Sequence, residues 1–151
     1  MSQLSMHAQD FLNAYEILRE SNDALISKGA DGARETAYGS LPAMGIDIVC
    51  LAFSVELHLK ELHRIVSQAP PKGHNISKLF YGLPKDVQEE VVSHSSIAQY
   101  GWGDAQLQLE LNAISNGFEK WRYAYESASL KYNIYFAKAL IEAMQSVASK
   151  K

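Results

Sequence analysis

One cysteine, Cys50, occurs in the whole chain, so a single copy can build neither a disulfide framework nor a cysteine-based zinc cluster. Long apolar runs are also missing. Ile48–Phe53 is far too short to span a bilayer, and the opening MSQLSMHAQD lacks the basic start and apolar stretch of a secretion signal. The expectation is a soluble, cytoplasmic protein with no membrane partner. Charge of one sign is scarce too: the formal net charge is −3 and the Lys and Arg residues are scattered. That excludes a broad electrostatic footprint for nucleic acid, although a small local groove leaves no trace in a total. No segment alternates with the period of a strand, no internal repeat occurs, and no GxSxG turn or phosphate-loop motif is present.

What is present is apolar periodicity of 3.6 residues in a chain of 151 residues, long enough for one domain with its own core. The spacing predicts an all-α protein, a bundle of four long helices with one or two additional short helices, over 1–151. Leu4, Ala8, Phe11, Tyr15, Leu18 and Leu25 place a first helix from about Ser2 to Ser27. Gly29, Gly32 and Gly39 then mark a loop. Ser40 and Pro42 suit the start of a second helix, which runs to about Gln68, before Pro70 and Pro71. Its two apolar sectors, one led by Ile48, Leu51, Val55 and Leu59 and the other by Val49, Phe53 and Leu57, require neighbours on several sides, which makes it the central helix.

Asn75 caps a short helix ended by Gly82, and Pro84 opens a peripheral helix reaching Tyr100. Asp104 caps a long helix with Leu107, Leu111, Ile114, Phe118, Trp121 and Tyr125 in one stripe; Gly117 weakens it by about 1 kcal/mol relative to Ala. A terminal helix beginning at Leu130 carries an apolar arc wider than one seam needs. Either a subunit interface or deeper burial within one bundle explains that arc.

Few residues carry chemistry. Glu56 and Lys60 are four apart among aliphatics and must be paired if buried. Arg122 and Glu126, also four apart, are placed to complete a four-charge network with them, either a site or a buried network giving specificity. Tyr123 projects away from the Trp121–Tyr125 stripe. His74 follows Gly73 at a helix start, where the ring either orients the loop or acts as an acid or base. His58 and Glu61 point to a different side from Glu56 and His63, so four ligands do not converge from this helix and no metal is expected, and no motif calls for a cofactor. Cys50 sits in apolar surroundings that raise its pKa and keep it inert.

Three pieces in order, AFSVELHLKEL, KGHNISKLFYGLP and FEKWRYAYE, resemble the HEPN (higher eukaryotes and prokaryotes nucleotide-binding) superfamily, in the bacterial branch with E-x-x-x-K, G-H-[DN]-[LI]-x-x-L-F and W-R-Y-x-Y-E elements. The likeness spans about Ala43 to Glu126. It implies an up-and-down four-helix bundle as the core, frequent homodimers, and in many members metal-independent RNA cleavage in toxin–antitoxin, phage-defence or RNA-processing systems, with a nucleotidyltransferase or antitoxin as a candidate partner. The nucleases of that family carry an Arg followed four to six residues later by His. Here Arg122 has no such His, nor do Arg19, Arg34 or Arg64. The expectation is therefore a non-nucleolytic HEPN-like module acting through dimerisation and by binding a partner protein, nucleotide or RNA. The alternative is a ribonuclease or nucleotide-handling enzyme with Arg122 on phosphate, Glu56 or Glu126 as base and His74 as acid.

Overall fold

A computed structural model describes residues 1–30, 45–67, 69, 71–115, 117 and 132–151. Every regular element in it is a helix: α1 (Gln3–Ala30), α2 (Ile46–Ser67), α3 (Ile76–Tyr81), α4 (Lys85–Ser93), α5 (Ser95–Ala98), α6 (Asp104–Ile114) and α7 (Ile134–Ser149). None of these is long and apolar enough to cross a membrane.

The central helix is α2. From Leu51 to His63 all its side chains but that of Phe53 and that of Lys60 are buried, which two apolar sectors on one helix demand. It packs along α1 on one side and against α7 and α3 on others. Ala8 and Tyr15 of α1 are buried, Phe11 meets Phe53 edge-on at 4.5 Å, and Ser54 Oγ donates to the Ala8 carbonyl at 2.8 Å. At the top of this pair Asp47 is buried, 3.6 Å from the Arg19 guanidinium, and its Oδ1 accepts from the Ile48 amide at 2.9 Å. A charge placed there is tolerated because it stands at the positive end of α2 and has a cation opposite.

Helix boundaries differ from the periodicity in four places, each with a local cause. Helix α2 begins at Ile46 rather than at Ser40–Pro42, since Gly45 has φ 90°, which a right-handed helix does not contain; Ser40 and Pro42 themselves lie outside the described residues. The segment expected to run on to Tyr100 is split at His94, whose ψ of 140° ends α4 and whose Nδ1 accepts from the Ser96 amide to cap α5. Helix α6 stops at Ile114. Ser115 turns extended, its Oγ donates to the Leu111 carbonyl at 2.7 Å and accepts from the Ser77 amide at 3.0 Å, so the hydroxyl serves α3 where the stripe would have continued. Phe118, Trp121 and Tyr125 lie outside the described residues. The terminal helix starts at Ile134 behind Asn133, whose Oδ1 accepts from the Phe136 amide.

The wide arc of α7 is spent inside the molecule. Phe136, Ala137, Ala139, Leu140, Ile141, Ala143, Met144 and Val147 are all buried, against α2, α4 and α5, leaving Tyr135 as its exposed large apolar side chain. Deeper burial, not a vacant interface, therefore accounts for the arc.

Gly117 shows how packing overrides propensity. A Cβ there would lie 2.8 Å from Tyr132 Cε2 and 3.0 Å from Ala52 Cβ. Gly117→Ala, which helix propensity alone favours by about 1 kcal/mol, is expected instead to lower stability by about 1–3 kcal/mol in urea unfolding.

Candidate binding site around Glu56

Glu56 lies on the buried side of α2 with only 2% of its surface exposed. An unpaired carboxylate at that depth would be heavily penalised. Lys60, one turn later on the same helix, donates from Nζ to Glu56 Oε1 at 2.8 Å, which satisfies the i, i+4 expectation. The second donor comes from further away: His74 Nδ1–H reaches the same Oε1 at 2.9 Å. A carboxylate accepts only, so this contact holds the Nδ1 proton in place and turns Nε2 away from Glu56.

The backbone around His74 is shaped for that reach. Gly73, at φ 104°, reverses the chain after α2, a conformation that L side chains rarely adopt. Asn75 then caps α3, its Oδ1 accepting from the Lys78 amide at 2.9 Å. From α2, His63 Nε2–H donates to the Leu79 carbonyl at 2.7 Å. Two side chains of one helical stretch, Glu56 and His63, thus set the loop and the short helix behind it.

Over this floor opens a cleft of ≈ 520 Å³ lined by Pro71, Lys72, Gly73, His74, Asn75, Lys78 and Leu79. Among the described residues no acidic side chain lines it. Lys60 is partly exposed at 17%, and its charge is already answered by Glu56. Of the residues expected to form a site, Glu56, Lys60 and His74 are brought together; Arg122, Tyr123 and Glu126 lie outside the described residues.

Other hollows lie apart, two of them of comparable size. One of ≈ 490 Å³ between α3, α4 and α6 has Phe80, Val92 and Leu107 in its lining, and its Gln88 amide is tied to the carbonyls of Tyr81 and Leu83. The other, ≈ 420 Å³, lies between α1, α2 and α7 and includes His58 and Glu61. Arg64 grips Glu61 with two bonds of 2.7 and 2.9 Å and holds its carboxyl below the ordinary range, with Ser2 contributing. Among the described residues no three His, Cys, Asp or Glu side chains converge as metal ligands. Burial, with Asp47 adding to it, raises the Cys50 thiol above its ordinary pKa, as its apolar setting implies.

His58 is buried between three helices. Its Nδ1–H donates to the Ser54 carbonyl at 2.8 Å, and Nε2 accepts from the Gln145 amide, which also reaches Gln9 on α1. Burial pushes this imidazole below its ordinary pKa, against the smaller opposing effects of the Ser54 carbonyl and Glu61. The folded state therefore holds His58 neutral while the unfolded chain protonates it at about pH 6.5, so stability present above that pH falls as pH drops through it. The Glu61 contribution is present above its unfolded pKa and is lost only at lower pH, since its folded pKa is depressed. Thermal melts between pH 7.5 and 5.5 should show a falling Tm in the wild type and a shallower fall in His58→Asn.

Comparison with family models, with curated proteins and with solved structures finds no match to this chain. Chemistry at the site is left to argue from its own geometry.

Proposed function

We propose that the chain is a HEPN-like helical module that binds RNA or a nucleotide at the cleft over Glu56 and does not cut it. The observation that carries this reading is the Glu56–His74 contact: a buried carboxylate fixes an imidazole in the lining of a cleft whose other charged groups, among the described residues, are lysines. Such a surface attracts phosphate, and its small size agrees with a chain of net charge −3. The HEPN resemblance, in the elements containing Glu56, Lys60 and His74, supports the reading from the sequence side. Absence of a His after Arg122 supports binding over cleavage, because the imidazole of the family's nuclease pair is missing. Dimerisation and a toxin–antitoxin or defence setting rest on the resemblance, since α7 offers no vacant apolar face.

The same contact favours one second reading. A carboxylate-held histidine is the arrangement that general acid–base catalysis uses, so a ribonuclease with His74 as acid is the alternative. A labelled RNA incubated with the purified protein and run on native and denaturing gels separates the two. Binding with full-length RNA recovered supports the module; cleavage that disappears in both His74→Ala and Arg122→Ala supports the enzyme. Mass measured at low protein concentration tests dimerisation, and a clean monomer removes it.

A further inference from the structure

We infer that the cleft over Glu56 takes a terminal phosphate monoester, with Lys72 and Lys78 on its oxygens and the His74 imidazolium, whose Nδ1–H is held by Glu56, donating from Nε2–H as a third contact. This rests on the reading of the cleft as an RNA or nucleotide site and names the group it recognises.

Four observations lead there. Lys72 and Lys78 have no ion pair among the described residues, whereas Lys60 just beneath is consumed by Glu56. Two cations lining one cleft match the double charge of a monoester better than the single charge of an internal phosphodiester. His74 is half exposed, yet its ring is aimed from below by a carboxylate that is almost wholly buried, so its outward nitrogen is fixed without a contribution from the ligand. Gly73 leaves open space where a side chain would stand, with nothing within 4 Å of a built Cβ, so a ligand can approach the backbone there. A cleft of ≈ 520 Å³ also exceeds what a bare phosphate fills and admits an attached nucleoside.

The source of the monoester, a free nucleotide or the end of an RNA, is separated by the probes. Affinities are measured by titration for AMP, adenosine, and one short oligoribonucleotide carrying either a 5′-phosphate or a 5′-hydroxyl. The expected result is about tenfold tighter binding of a phosphorylated probe than of its hydroxyl counterpart. AMP with that preference identifies a nucleotide, the oligonucleotide alone an RNA end. Lys72→Ala/Lys78→Ala, at exposed positions that leave the fold intact by circular dichroism, should remove the preference. His74→Gln should reduce it in part. Equal affinity within both pairs, AMP against adenosine and the phosphorylated against the hydroxyl oligonucleotide, or a preference unchanged in the double lysine variant, overturns the terminal-phosphate site while leaving RNA or nucleotide binding in place. Binding of none of the four probes overturns both.

Discussion

Glu56→Ala is expected to destabilise the fold by about 2–4 kcal/mol, reaching below the roughly 3–5 kcal/mol for breaking a fully buried ion pair from one side. The substitution removes the shared acceptor of Lys60 and His74 and leaves a cavity on the buried side of α2. The upper end of the range would require both partners to stay trapped. Lys60 is 17% exposed and His74 about half exposed, so both reach water in part, and a value near the middle is expected. Glu56→Leu/Lys60→Leu, which replaces the pair by apolar groups, should cost less than Glu56→Ala alone, because no ammonium is left without a partner. Urea unfolding of the three proteins checks the order. A loss under about 0.5 kcal/mol for Glu56→Ala, the level of an exposed pair, would mean that the carboxylate organises nothing.

The second large effect lies in the core. Phe136 is fully buried on α7, and the Trp102 ring, itself stacked on Tyr100 at 4.4 Å, meets it edge-on at 5.2 Å between centroids. Phe136→Ala should lower stability by about 3–5 kcal/mol, combining lost burial with a cavity that rigid helices refill poorly. Loss of the aromatic neighbour should also change the Trp102 emission. A shift in stability of 1 kcal/mol or less would place Phe136 at a surface rather than at the junction of α7 with the segment before α6.

How far the sequence reached depends on whether the deciding interaction was local. Helix α2 was legible because a run that is apolar on two sides has few places to go, and Glu56–Lys60 because four residues make one turn. Asn75 and Gly82 marked the ends of α3 through capping chemistry that acts within a turn. The break at Ser115 was hidden: apolar spacing continues through it, and the hydroxyl's partner, the Ser77 amide, is 38 residues away. The same holds for Arg19 and Asp47, whose approach depends on how α1 lies on α2. His74 was a candidate from its place after Gly73, but its carboxylate is 18 residues distant and only the turn of the chain joins them. The proposed contacts of Arg122, Tyr123 and Glu126 fall outside the described residues.

That one buried carboxylate on α2 positions the His74 loop is tested most directly by a double-mutant cycle on stability, using Glu56→Gln, His74→Ala and the pair together. The contact at 2.9 Å predicts a coupling energy of about 1 kcal/mol or more, as for a charge-assisted hydrogen bond that is half exposed. Strict additivity of the two single effects would contradict it.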